Sequence, residues 1–354
     1  MRRHAARLGL LLLVLLLSSA AFPACRGSSS KADESTPSTA AVDPGAPGPY
    51  AVGVTEVTFE RPSSTTGEPR VLRTLVWYPA ADSARNSAPD GIAKGIRDAE
   101  LTRDNLPLPI IMFSHGSGGL TWQSTYYTTH LASYGFVVVA PPHPGNTVAD
   151  CMPCTDTAAL TDSFLNRPTD ITFTLESMLK LNDDTASMFY HALDGKRVGM
   201  SGHSFGGLDT LRLAVSNGGN PFLAALAMAP AVGGVVPAPG NSVSIPLMIM
   251  GGEEDNVCPI ANDRDYLDTL QTNSPHYLVD FPRGGHLAYS DVCVEILGGC
   301  RPEDISQDKA HELVDFYAAA FFKTYVAGDQ SYARFLDPQS KAGDPDLEYQ
   351  AWVP

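Results

Sequence analysis

Basic residues are scarce in this chain. The 24 Lys and Arg stand against 39 Asp and Glu, a formal charge of −15 at pH 7. A surface of that sign repels phosphate backbones and anionic headgroups, which argues against nucleic acid or an anionic membrane as a partner. Other signatures are missing as well. No segment has metal-ligand spacing, a dinucleotide-binding glycine fingerprint or a phosphate-binding loop, so no cofactor and no metal is expected. No internal repeat is visible, which sets solenoids and propellers aside. Cysteine is sparse, six in 354 residues.

What is present begins with a leader. Arg2, Arg3 and Arg7 precede an apolar run over residues 8–17, and small residues follow. A basic start, an apolar stretch and a small-residue zone read as a signal peptide over residues 1–24. The run is too short to span a bilayer comfortably. Two cleavages compete: an ordinary one after the small residues, and a lipoprotein-type one before Cys25, which would then carry lipid. Residues 25–49 are rich in Ser, Ala, Pro, Gly and Thr and suit a flexible tether. The expectation is an exported protein, anchored in the envelope through Cys25 or secreted.

A folded domain is expected over residues 50–327. Residues 52–59 and 72–78 read as strands of a hairpin-like opening. Continuous apolar runs at 108–113 and 136–140 read as buried parallel strands. Further strands are expected at 197–200, 222–228, 245–250 and 276–281, and helices at 121–134, 204–215, 263–270 and 306–326. Residues 141–167 lack periodicity and read as an insertion loop. Pro168 is placed at the first turn of a helix running to about 181. Residues 328–354 read as an acidic tail. Strands alternating with helices predict an α/β fold: a mostly parallel central sheet with helices on both faces. In such a sheet, ligands bind at the carboxyl ends of the strands.

The chemistry sits where those ends fall. Gly202-His203-Ser204-Phe205-Gly206 fits G-x-S-x-G between a β-run and a helix, the setting of a nucleophile elbow. A serine hydroxyl needs a neighbouring imidazole to act as a nucleophile. His286 follows Arg283-Gly284-Gly285, directly after the last parallel strand, and is the candidate base. The acid should lie between them in sequence. Asp255, after Gly251-Gly252, is the choice, with Glu253 and Glu254 as competitors. Ser114-His115-Gly116-Ser117-Gly118-Gly119 follows the first buried strand. The amides of Ser117 and Phe205 are the candidate oxyanion donors, each worth roughly 3–4 kcal/mol in the transition state.

Residues 107–147, with PLPIIMFSHGSGG and LASYGFVVVAPPHPGNT, together with GHSFGG, GGEED and GGH, resemble the α/β-hydrolases of the platelet-activating-factor acetylhydrolase and dienelactone-hydrolase-like group. They resemble the cutinase-like polyester hydrolases more distantly. The resemblance implies the α/β-hydrolase fold and a serine ester hydrolase working through an acyl-enzyme. Its substrate would be a small-molecule or lipid ester, with polyester as the alternative. Two departures bear on the site. Dienelactone hydrolases proper use cysteine where this chain has Ser204. The secreted animal acetylhydrolases take their acid after an earlier strand, where this chain reads Met228-Ala229-Pro230; that favours Asp255.

Trp122, Tyr126 and Tyr127 are candidates for the acyl pocket or for plain helix packing. His143 and Asn146 are candidates for substrate contact. Export allows Cys151, Cys154, Cys258, Cys293 and Cys300 to oxidise. Cys151 and Cys154 suit a local bridge. Because Asp255 must meet His286, a Cys258–Cys293 bridge between their loops is favoured, with Cys293–Cys300 as its rival. Two other functions compete with the esterase: a serine peptidase on the same fold, and a non-catalytic surface lipoprotein.

Overall fold

The computed structural model describes residues 42–151, 154–215, 221–232 and 242–354. The expected signal peptide, Cys25 and most of the expected tether lie outside the described residues.

The first strands form the expected hairpin. Strand β1 (Ala51–Pro62) pairs antiparallel with β2 (Pro69–Ala80), and the short β3 (Ile96–Arg97) lies parallel to β1. The strands that follow are parallel: β4 (Leu108–Ser114), β5 (Val137–Ala140), β6 (Leu193–His203), β7 (Phe222–Met228), β8 (Leu247–Gly252) and β9 (His276–Phe281). With β10 (Glu348–Trp352) they make one ten-stranded sheet, ordered β10-β9-β8-β7-β6-β4-β5-β2-β1-β3 among the described residues.

Alternation along the strands splits the core into two halves. Ile111, Phe113 and Val138 point to one face, and Ile110, Met112, Val137 and Val139 to the other. The first face is covered by α1 (Thr125–Ser133) and α5 (Gln307–Tyr325). The second is covered by α2 (Thr157–Asp183), α3 (Phe205–Val215) and α4 (Ile260–Thr269). The expected three-layer α/β fold is therefore the observed one.

Three expectations are corrected. Helix α2 starts at Thr157, so residues 157–167 of the expected insertion loop are helical and Pro168 lies inside the helix. The side chain of Asp156 caps it, accepting from the amides of Ala158 and Ala159. Proline lacks the amide that would bond the carbonyl of Phe164. Arg212 of α3 supplies that donor instead, its Nη1 lying 2.7 Å from the Phe164 oxygen while its guanidinium stacks on the Phe164 ring. Residues 42–49 are docked rather than free. Tyr134 Oη donates to the carbonyls of Asp43 and Ala46, and the Pro44 carbonyl bonds His130 Nε2. Finally, the expected tail ends in β10, which covers the open edge of β9. Its Tyr349 packs against Tyr277 and Tyr317.

Arg212→Ala should strand the Phe164 carbonyl and cost about 1–3 kcal/mol. Thermal unfolding, with Arg212→Lys restoring part of the loss, checks this.

Candidate active site

Every candidate of the triad lies at the carboxyl edge of the sheet. Ser204 joins β6 to α3 with φ of +57°, a left-handed conformation that non-glycine residues seldom adopt. The turn is tight because glycine flanks it. A methyl group at Gly206 would collide with the Ser114 carbonyl, and one at Gly202 with the Gly206 carbonyl. The Ser204 amide donates to Met228 O of β7, and its carbonyl accepts from Leu208 and Ala231. Its hydroxyl is thereby lifted above the sheet.

His286 opens a short helical turn after β9 (His286–Tyr289), with Nε2 3.0 Å from Ser204 Oγ. Its Nδ1 lies 2.8 Å from Oδ2 of Asp255. The other Asp255 oxygen accepts from the amides of Val257 and Cys258, each at 2.8 Å, which fixes the carboxylate plane. Glu253 instead pairs with Arg264, and Glu254 faces Arg301 at the surface. All three triad candidates are buried or nearly so, with Ser204 8% exposed.

A second histidine, at the variable position of the G-x-S-x-G pattern, braces the first. The His203 ring lies 4.8 Å from that of His286. Its Nδ1 accepts from Gln123 Nε2 at 2.8 Å, so Nε2 carries the proton and donates to the His286 carbonyl, also at 2.8 Å. Burial, with His286 nearby, pushes the His203 imidazole down to about 3. Gln123 uses its other end to accept from the Gly116 amide.

The candidate oxyanion loop, residues 115–119, is held from behind. The Ser117 and Phe205 amides donate to no group among the described residues, as free oxyanion donors require. His115 Nδ1 donates to the Gly116 carbonyl at 2.7 Å, and His115 Nε2 accepts from the His143 amide. Burial, aided by His143 and Arg167, holds the His115 imidazole well below its ordinary value. The neutral form matches those two bonds.

Other candidates fall elsewhere. His143 is fully buried between Ser114 Oγ (3.0 Å) and Asp170 Oδ2 (3.1 Å), so it cannot touch substrate. Burial, with Arg167 adding to it, pushes its imidazole down to about 4. Tyr126 belongs to the packing of α1, its ring stacked at 3.5 Å on His311 of α5. Tyr127 is likewise core. Trp122 lines a separate cavity of about 520 Å³ that shares only Gly119 and Leu120 with the cleft at Ser204. Asn146 is buried and reaches Ser117 Oγ from beneath. No group of metal-binding side chains occurs among the described residues.

The cysteines meet one expectation, the local Cys151–Cys154 bridge, and differ from the other. Cys151 and Cys154 are bridged, and so are Cys293 and Cys300; Cys258 is a buried free thiol. The favoured Cys258–Cys293 bridge is therefore wrong. Cys258 turns inward beside Ser204, whereas Cys293 is exposed. Gly298 and Gly299, both at positive φ, fold the chain back so that Cys300 meets Cys293.

The neutral His203 has a consequence for acid stability. Its folded pKa lies below the ordinary value near 6.5, so the unfolded chain binds the extra proton first. Its contribution is complete above pH 6.5 and is lost as pH falls toward 3. Replacing it by Gln should shrink the difference in Tm between pH 7.5 and pH 4.5, measured by thermal scans of both proteins.

Among solved structures, a ferulic acid esterase from Streptomyces cinnamoneus superposes with a TM-score of 0.66 at 20% identity, covering 86% of this chain and 98% of the other; it speaks for the fold. Cutinase est1 of Thermobifida alba is 24% identical over 257 residues, 71% of this chain and 73% of its own length. Cutinase 2 of Thermobifida cellulosilytica is 24% identical over 243 residues, 68% of this chain and 77% of its own. The polyester-hydrolase likeness, expected as the more distant one, is thus the likeness these relatives carry. Residues 116–350 match the family described as PET hydrolase-like, and the chain belongs to that family within the α/β-hydrolase superfamily.

Proposed function

We propose that this chain is a serine ester hydrolase working through an acyl-enzyme. The observation that carries the reading is the hydrogen-bonded line Ser204–His286–Asp255 at the floor of an apolar cleft. His286 Nε2 takes the proton of Ser204 Oγ as that oxygen bonds the ester carbonyl carbon. Asp255 accepts from His286 Nδ1, fixes the tautomer and stabilises the imidazolium. The carbonyl oxygen becomes an oxyanion between the Ser117 and Phe205 amides. Collapse breaks the C–O bond, and the alcohol leaves with the proton from His286. A water, deprotonated by the same nitrogen, then attacks the acyl-Ser204 carbonyl and releases the acid.

Two cavities, of about 550 and 510 Å³, open on either side of Ser204; Ser117, Ser204 and Val257 line both. Leu160, Phe164, Phe205 and Leu208 wall one, and Leu120, Val148, Leu287 and Val292 the other. Neither wall carries Lys, Arg, Asp or Glu among the described residues. Such walls favour neutral esters that are apolar on both sides of the scissile bond, and offer nothing to a phosphate headgroup or a peptide terminus. Val148, Val257, Val294 and Leu297 line this mouth and are exposed, and Ile296, between the last two in sequence, is 88% exposed. A mouth of this kind suits a substrate presented as a surface. We therefore favour polyester over phospholipid, in keeping with relatives named cutinases. The two disulfides fit an exported chain. Lipid on Cys25 is part of the proposal, and mass spectrometry of the mature N-terminus tests it.

A fluorophosphonate probe should label Ser204, and Ser204→Ala and His286→Ala should each reduce hydrolysis of p-nitrophenyl esters to near background. Asp255→Asn should cost on the order of 10³–10⁴-fold in kcat. A non-catalytic protein would leave the probe unbound. Ile296→Ser should leave turnover of soluble p-nitrophenyl butyrate unchanged and lower product release from a polyester film about twofold or more, since adsorption to the film draws on exposed apolar area.

A further inference from the structure

Behind the oxyanion loop lies an arginine for which the reaction above has no use. Arg167, on α2, is fully buried. Its Nε donates to Asp209 Oδ2 at 2.6 Å and its Nη1 to Asn146 Oδ1 at 2.8 Å. Its Nη2 donates to Ser114 Oγ at 3.0 Å and to the His115 carbonyl. The flat face of the guanidinium covers the Phe205 ring, 4.5 Å from its centroid. Burying a cation costs several kcal/mol unless it is paired. Asp209 provides the pair through Oδ2, while its other oxygen lies 3.4 Å from Arg212 Nη1. The remaining donors go to neutral acceptors on the Ser117 side, while the face of the guanidinium covers Phe205 on the other.

We propose that Arg167 is a positioning residue for the two oxyanion donors, acting on Ser117 through Asn146 and on Phe205 by stacking. The proposal rests on the serine-esterase reading. Asn146 transmits the first contact. With Oδ1 held by Arg167, its Nδ2 faces Ser117 Oγ at 3.0 Å, and its carbonyl accepts from the Gly118 amide at 3.1 Å. On the other side of Ser117, the Gly116 carbonyl is held by His115 Nδ1 and by the Gly119 amide. That carbonyl shares one planar trans peptide with the Ser117 amide, so fixing the oxygen fixes the N–H in the opposite direction. Arg167 also grips the carbonyl of His115, which anchors the same segment one peptide earlier. The second donor, the Phe205 amide, sits on the residue whose ring the guanidinium covers.

The two donors come from different strands, β4 and β6, and must converge on one developing charge. A displacement of about 1 Å between them can cost on the order of 100-fold in rate. A planar cation with five donors can hold both sides at once. Lysine, a point charge with no flat face, cannot.

The full-length protein, with Arg167→Lys, Arg167→Met and Asn146→Ala, tests this on p-nitrophenyl butyrate, with a trifluoromethyl ketone as transition-state analogue. Each variant should lose about 10- to 100-fold in kcat with little change in KM. The Ki of the ketone should rise in proportion to the fall in kcat/KM. A purely structural arginine would lower Tm and leave kcat and ketone affinity of the folded protein near wild type. Asn146→Ala keeps the Arg167–Asp209 pair and decides the question if the Arg167 variants do not fold. Folded Asn146→Ala with kcat within about twofold of wild type would overturn the proposal. Absence of fluorophosphonate labelling on wild-type Ser204 would overturn the esterase reading with it. Labelling together with unaltered variants overturns this inference alone.

Discussion

The close approach of β4 and β6 at their carboxyl ends governs the rest of this molecule. Gly206 sits against the Ser114 carbonyl with no room for a side chain, and Ser204 is forced into a left-handed backbone just before it. That approach brings the oxyanion loop, which continues β4, beside the elbow, which continues β6. The parallel order of the sheet adds β8 and β9 on the far side, so the loops carrying Asp255 and His286 open on the same edge. Four of the strand ends at this edge carry the triad candidates and the two candidate oxyanion donors, each on no more than a short turn.

Polar groups under the loop are buried in compensated sets. Asp170 is shielded from water, which alone would raise its pKa, yet bonds from His143 and Arg70 hold it down to about 2. Arg61 adds a further contact at 2.5 Å, and Arg70 reaches both Asp170 and Asp162. Arg167 and Asp209 form the neighbouring set, joined to the first through Ser114 and His143. Buried ion pairs of this kind add little net stability against an apolar core, and removing one member is costly. Their effect here is geometric: the loop they support has few apolar contacts of its own. Histidines serve the same end. His115, His143 and His203 are all driven to the neutral form by burial, which leaves each with one donor and one acceptor of fixed direction.

Much of this was legible in the sequence because period and punctuation are local. The apolar runs at β4 and β5 can only be buried strands, and residues 222–228 and 276–281 coincide with β7 and β9. Glycines around Ser204, Ser117 and Asp255 mark where strands end and loops must pass closely, which is why those positions could be picked out. The Ser, Asp, His order does the same for the acid. The misreadings have one cause. Pro168 reads as a helix start unless the donor from Arg212, 44 positions later in the chain, is known. His143 and Tyr126 sit at loop and helix positions that suit a pocket, and only the packing around them shows that they face inward.

The sequence by itself determined the layered fold and the chemical groups at its reactive edge, since hydrophobic alternation and glycine spacing act within a few residues of each position. Tertiary structure alone decided which groups meet. Cys293 joins Cys300 and not Cys258 because two glycines reverse the loop. Residues 348–352 become a strand because β9 offers an unpaired edge. Arg167 lies between Ser114, 53 positions earlier, and Asp209 of α3, 42 positions later, because α2 packs there. Each of these is a long-range juxtaposition, fixed by burial and by the need to satisfy every buried donor, and neither condition is written in local sequence.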